Sequence, residues 1–283
     1  MAIETVGVIG CGLMGSGITQ VCAQAGYRTI VREASDELVA GGIGRIDGLL
    51  SRNVSKGRMT ENEKAAVLGR ITGTTEFGDL DECDLVIEAV TENLETKQEV
   101  FRTLDGIAPP GAILASNTSS ISITELAAAT DRPEQVLGLH FFNPVPVMGL
   151  IEMVVGLQTS EETVETARQF GESLGKQVIQ VKDTPGFIVN YLLIPYLLDA
   201  VRLVESGVAT KEDIDAGMVL GCSHPLGPLK LLDFIGLDTT LYIAEVLHDA
   251  FRTDRYAAPP LLRQMVAAGM NGRKAGQGFY TYD

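Results

Sequence analysis

An α/β domain followed by an all-α domain is the fold class this sequence predicts, and three observations predict it. A short apolar strand near the N-terminus runs straight into a glycine-rich turn and then a helix. From there to Val181, apolar runs of strand length alternate with helical periodicities, the pattern of βαβ units on a parallel sheet. Beyond Asp183-Thr184-Pro185-Gly186, which reads as a hinge, the periodicity is helical with no clear strand until the last residues. The expected domains are therefore residues 1–184 and 185–283.

The opening strand, Thr5 to Ile9, leads into Gly10-Cys11-Gly12-Leu13-Met14-Gly15, and Gly17 to Ala25 has a helical periodicity that Gly26 stops. This is GxGxxG in the context that gives it meaning. The first glycine permits the tight turn, the second lets the backbone approach a pyrophosphate, and the third lets the helix pack close to the strand, its N-terminus facing the negative charge. The first domain is thus expected to be of the Rossmann type and to bind a dinucleotide. The second strand, Arg28 to Val31, ends at Arg32-Glu33, about twenty residues beyond the fingerprint, where an acidic side chain would hydrogen-bond the adenosine ribose. Glu33 favours NAD. Arg32 beside it keeps NADP open, because a guanidinium turned that way would accept a 2′-phosphate; a solvated surface arginine is the competing reading.

Asp36 to Leu68 interrupts the alternation. Two helices, about 36–54 and 60–68, are expected to stand out as a hairpin, the second opened by the capping-box sequence Thr60-Glu61-Asn62-Glu63. Arg52, Lys56 and Arg58 cluster at its tip, as a grip on substrate phosphates or as a solvated turn. Ile71 to Thr75 and Cys83 to Val90 are the third and fourth strands. Glu92 and Lys97 follow the carboxyl end of the fourth, the edge at which open α/β sheets bind ligands, although a helix cap and a surface ion pair would have the same spacing. A fifth strand, Ala112 to Ala115, delivers Ser116-Asn117-Thr118-Ser119-Ser120 to the same edge before a helix over 123–129. Some of these hydroxyls must cap that helix; the others remain for a ligand oxygen.

Gly138 to Glu152 carries the most chemistry. His140, one of three histidines, lies in a strand over 135–141; Pro144 and Pro146 end it, and Leu150 to Val155 is the next strand. Strand, turn and strand bring His140 beside Glu152. A carboxylate on one ring nitrogen fixes the tautomer and leaves the other to take a proton from a hydroxyl, which is what alcohol oxidation requires. On the pair alone, a hydrogen-bonded structural histidine is the alternative. A helix, Glu161 to Leu174, and a strand, Val178 to Val181, complete the domain, and helices are expected over 187–206, 211–220, 229–250 and 259–268. Asn190 stands among apolar neighbours in the first of these, where it needs a partner: a cap, an inter-domain bond or a ligand. His224 and His248 read as structural.

The chain has 283 residues, a net charge of -15, 45% hydrophobic and 21% charged residues. That charge argues against nucleic acid and anionic membranes as partners, so any phosphate must be captured locally. The four cysteines, Cys11, Cys22, Cys83 and Cys222, have no paired spacing and read as reduced thiols of a cytoplasmic protein without a metal site. Phe187 to Leu198, the longest apolar run, is interrupted by Asn190 and Pro195 and is too short to span a bilayer. The mean hydropathy of +0.17 leaves apolar surface for an oligomer interface.

The segments GCGLMGSGI, IEAVTENLETK, SNTSS, GLHFFNPVPVM, KDTPGFIVN, LGCSHPLGPLKLLDFIGLD and GRKAGQGFYTY, in this order and spacing, resemble the L-3-hydroxyacyl-CoA dehydrogenases over almost the whole chain. The likeness is greatest to the stand-alone 3-hydroxybutyryl-CoA dehydrogenases, and HFFNP and DTPGF are far more specific than the glycine fingerprint. The resemblance implies reversible, NAD-dependent oxidation of a short-chain (S)-3-hydroxyacyl-CoA to the 3-oxoacyl-CoA. It implies that His140 is the base and Glu152 orients it, that Ser119 and Asn190 contact the substrate oxygen, and that Asn143 supports the site. The family's cofactor contacts fall on Gly10, Gly12, Gly15, Glu33, Glu92 and Lys97, with Leu13, Met14, Ser119 and Asn143 in the same site. The family usually has Asp where Glu33 stands, a departure that bears on the choice between NAD and NADP. Lys56 is the candidate contact for coenzyme A, and a homodimer through the helical domain is expected. A related dehydrogenase of a free hydroxy or sugar acid, and a non-catalytic dinucleotide-binding protein, are the alternatives.

Overall fold

The computed structural model describes residues 2–282. Two compact units, 1–184 and 185–283, divide the chain. In the first, β1 (Thr5–Ile9) leads through α1 (Leu13–Ala25) to β2 (Arg28–Arg32), then α2 (Asp36–Ser55), α3 (Glu61–Leu68) and β3 (Ile71–Thr74). There follow β4 (Leu85–Glu88), α4 (Leu94–Ile107), β5 (Ile113–Ser116), α5 (Ile123–Ala127), β6 (Val136–Phe141), β7 (Leu150–Val155), α6 (Glu161–Ser173) and β8 (Gln177–Lys182).

The strands form one eight-stranded sheet in the order β3-β2-β1-β4-β5-β6-β7-β8. Every neighbouring pair is parallel except β6 and β7. β1, β4, β5 and β6 are buried along their whole length, because helices cover both faces, and this is why they read as unbroken apolar runs rather than alternating ones. The direction of winding reverses at β1: β2 and β3 lie to one side, β4, β5 and β6 to the other. The carboxyl ends of β1 and β4 therefore flank a topological switch point, where such sheets hold their ligands. β4 ends at Glu88, short of the expected Val90, because the Val90 amide donates to the Glu88 carboxylate (2.6 Å) instead of to a neighbouring strand.

The hairpin of α2 and α3 is present, but it does not stand clear of the domain. Ile46 and Leu50 of α2 bury against Ala23 of α1 and Val67 of α3, and Lys64 closes the pair by reaching Asp47 and Ser51, each at 2.7 Å. The tip, Ser55 to Arg58, is exposed throughout, and the helices on either side expose the faces turned away from this contact. Thr60 and Glu63 make the expected capping box in full.

The second unit contains α7 (Val189–Glu205), α8 (Lys211–Cys222), α9 (Pro228–Ile235), α10 (Leu237–Phe251) and α11 (Pro260–Ala267) around Leu197, Leu198, Leu229, Leu232, Leu247 and Tyr256. The helix expected over 229–250 is two helices. Gly236 breaks it with φ of 106°, a conformation open to glycine at little cost. The final residues form isolated bridges and are strapped down by Asp233, which accepts from the Phe279 and Tyr280 amides (both 2.8 Å) and the Tyr282 hydroxyl (2.9 Å). Among the described residues no helix is long and apolar enough to cross a membrane.

Candidate active site

The glycine turn is built for close approach. Gly10 has φ of 92°, and a Cβ on Gly15 would collide with the Gly10 carbonyl, so only glycine lets α1 start this near β1. A Cβ on Gly12 would instead project into open space, and Gly12 caps α1 without any side-chain bond. The first turn of α1 thus presents its amides, with exposed Leu13 and partly buried Met14, to whatever lies over the turn. These features fit a dinucleotide pyrophosphate. Glu33, just past β2, accepts from the Cys11 amide on one carboxylate oxygen and the Ala34 amide on the other, both at 2.8 Å. It stands beside the turn, where the ribose position was expected. Arg32 is directed elsewhere: its Nε donates to the Thr75 carbonyl (3.0 Å) and its guanidinium lies 4.0 Å from the Phe77 ring centroid. Its guanidinium is thus turned towards Thr75 and Phe77. Burial, partly opposed by Arg45 and reinforced by Glu33, pushes the Cys11 thiol up to about 11, so this turn carries no thiolate near neutral pH.

At the carboxyl ends of β4 and β5, Lys97 is not the surface residue its spacing also allowed. It is 1% exposed and ion-paired with Glu88 (2.7 Å) and Glu92 (3.2 Å). Glu92 accepts from the Thr118 hydroxyl (2.5 Å), the Ser119 amide (2.9 Å) and the Ser120 hydroxyl (3.1 Å). Burial raises the Glu92 carboxyl, but Lys97, Thr118 and Ser119 outweigh it and hold the group below the ordinary carboxylate range. The hydroxyl run after β5 is thus organised mainly by one carboxylate, with Ser122 left to cap α5.

His140 and Glu152 are directly opposite each other across the antiparallel β6 and β7, and Nδ1 of the imidazole lies 2.7 Å from the Glu152 carboxylate. Their exposures of 7% and 0% place the pair out of bulk water. Phe142 packs against the imidazole with ring centroids 4.5 Å apart. A carboxylate at Nδ1 selects the tautomer with the proton on that nitrogen and the lone pair on Nε2. Asn117, which the sequence reading passed over, accepts from the Phe141 amide (2.9 Å) and so ties the end of β5 to the strand carrying His140.

Asn143 lies in the turn after β6 and lines a cavity of about 390 Å³ with Leu13, Arg45, Leu49, Arg52 and Pro146. Arg45 was also missed; it hydrogen-bonds the Cys11 carbonyl, brought near because Gly42 lets α2 close on Cys11. Lys56 caps the C-terminus of α2, exposed to solvent and outside the residues lining that cavity. Asn190 belongs to the second unit, buried in the first turn of α7. There too His224 sits with its Nδ1 3.2 Å from the Tyr196 hydroxyl.

Residues 5–184 match the family described as 3-hydroxyacyl-CoA dehydrogenase, NAD binding domain, and residues 186–282 match 3-hydroxyacyl-CoA dehydrogenase, C-terminal domain. The chain belongs to the 3-hydroxyacyl-CoA dehydrogenase family. Its N-terminal unit is the family's NAD-binding domain, and the chain is an oxidoreductase of that family. It is 51% identical over 283 residues to the 3-hydroxybutyryl-CoA dehydrogenase of Mycobacterium tuberculosis, covering 99% of each chain. The crystal structure of M. tuberculosis FadB2 matches with a TM-score of 0.98 at 50% identity, and that of the (S)-3-hydroxybutyryl-CoA dehydrogenase PaaH1 from Ralstonia eutropha with 0.96 at 48%, each over 100% of both chains.

Proposed function

We propose that the protein catalyses the reversible oxidation of a short-chain (S)-3-hydroxyacyl-CoA, 3-hydroxybutyryl-CoA above all, to the 3-oxoacyl-CoA. The observation that carries this is the His140 and Glu152 pair at the sheet edge that also presents the dinucleotide turn. The names of the relatives with near-complete coverage point to the same substrate.

NAD, when bound, supplies the acceptor for the hydride leaving C3. Gly12, Leu13, Met14 and Gly15 would hold the pyrophosphate through backbone amides at a turn that Gly10, its own amide donated to the Arg32 carbonyl (2.9 Å), makes possible; Glu33 would hold the ribose, and Glu92, Lys97, Ser119 and Asn143 would shape the remainder of the cofactor site. His140 takes the hydroxyl proton on Nε2, and Glu152 stabilises the imidazolium so formed without itself becoming protonated. Ser119 and Asn190 hold the C3 oxygen and thereby fix which face offers its hydrogen. In the reverse direction the same imidazolium returns the proton. Lys56 and Arg52, cationic at the tip of a hairpin in a chain of net charge -15, receive the phosphates of coenzyme A. The second unit carries the dimer contact, and the protein acts in the cytoplasm.

The initial rate of acetoacetyl-CoA reduction by NADH tests this. Wild-type protein should turn over and His140→Gln should lose about 10³-fold or more in kcat while its Kd for NADH stays within about two-fold. Absence of turnover on acetoacetyl-CoA, with turnover on a free hydroxy acid, would replace the substrate assignment.

A further inference from the structure

The buried network below the active-site edge holds more acid than base. Glu88 is fully buried and accepts from the Val90 amide (2.6 Å) and Lys97 Nζ (2.7 Å) on one oxygen and from the Ser116 hydroxyl (2.6 Å) on the other. All its partners are donors, the bonding pattern of an ionised carboxylate. Lys97 also serves Glu92 (3.2 Å), whose bonds to Thr118, Ser119 and Ser120 likewise favour the charged form. Two carboxylates thus share one ammonium. The three side chains together carry one net negative charge.

The topology says which part of a dinucleotide lies over that charge. The pyrophosphate faces the glycine turn at the end of β1, and the adenosine ribose falls to Glu33 past the end of β2. The nicotinamide half must then run the other way, across the ends of β4 and β5 towards His140 at the end of β6. An oxidised nicotinamide ring is cationic and a reduced one neutral, so a net anionic cluster interacts differently with the two.

We propose that the Glu88, Lys97 and Glu92 cluster discriminates between the redox states of the cofactor, and that the charge of Glu88 favours bound NAD⁺ over bound NADH. Glu88 touches neither cofactor nor substrate; it is a positioning residue for Lys97 and a fixed charge. This rests on the reading that NAD binds at this edge.

Glu88→Gln removes the charge and keeps the shape. Its carbonyl oxygen can still accept from Val90 and Lys97, and its amide can donate to Ser116. Calorimetric titration of the 283-residue chain with NAD⁺, NADH and ADP-ribose, which lacks the nicotinamide, reads the effect. In the variant, Kd for NAD⁺ should weaken on the order of ten-fold. Those for NADH and ADP-ribose should stay within about two-fold. A ten-fold change in the ratio corresponds to about 30 mV in the potential of the bound two-electron couple. Should Glu88→Gln fail to fold, Glu92→Gln removes the same unit of charge from the partly exposed end of the cluster and should move the ratio in the same direction. Ser116→Ala, which deletes a hydrogen bond but no charge, should leave the ratio unchanged. Equal weakening of all three ligands, or an unaltered ratio of NAD⁺ to NADH affinity in a folded variant, overturns the proposal. A wild-type protein that binds none of the three overturns the dinucleotide site itself.

Discussion

His140 and Glu152 are paired by register before they are paired by charge. They occupy facing positions on β6 and β7, so their Cβ atoms are held close by the ladder, and the 2.7 Å bond needs little further ordering of either side chain. Glu152→Gln keeps a hydrogen-bonding side chain there but withdraws the charge that stabilises the imidazolium. It should lower kcat by about 10²-fold or more with little change in NADH affinity; an equal loss in both would make Glu152 a structural residue. Glu92 adds a pH dependence. Its carboxyl is held below the ordinary range, so the folded protein binds fewer protons there than the unfolded chain does. Its stabilising contribution is therefore complete above the unfolded carboxylate value and fades as pH falls through the folded one. Thermal midpoints recorded from about pH 6 down to about pH 3 should fall less steeply for Glu92→Gln than for wild type.

At the scale of elements, the site depends on how near α1 and α2 come to β1. Both approaches are set by glycines whose missing Cβ is filled by backbone or side chain: Gly15 against the Gly10 carbonyl and Gly42 against Cys11. Gly15→Ala must push α1 away from the strand, at a cost of roughly 1–3 kcal/mol. The expected result is a lower thermal midpoint together with weaker NADH binding, followed by the quenching or enhancement of reduced-nicotinamide fluorescence; unchanged binding would show that the helix start does not set the pyrophosphate position. The glycine roles were legible from spacing, since GxGxxG after a strand has few other uses. Gly42 was not, because a glycine inside a helix announces itself only when its neighbour across space is known. Glu88 left a signal that was passed over: an acid in the middle of the apolar run Leu85 to Ala89 is costly unless it has partners.

For the molecule as a whole, large apolar side chains are exposed on both units, Leu220 (83%) and Val208 (69%) on the second and Leu157 (85%) and Val147 (76%) on the first; the expected dimer would cover those of the second. Solution mass should be twice the 30.2 kDa chain by light scattering, and a monomer at micromolar concentration would remove the proposed dimer. The sequence by itself determined the two-domain order, the dinucleotide turn, the facing strands of the central stretch and the helical second domain. Each of these follows from local signals: hydrophobic period, glycine and proline positions, and caps whose partners lie a few residues away. Only the tertiary structure decided that Lys97 is buried between two acids, that Arg32 is spent on Thr75 and Phe77, that the hairpin lies against α1, and that Gly236 divides a helix read as one. In each case the deciding partner is on another element, and the energy of a charge or an apolar face depends on what encloses it, which a linear pattern does not contain.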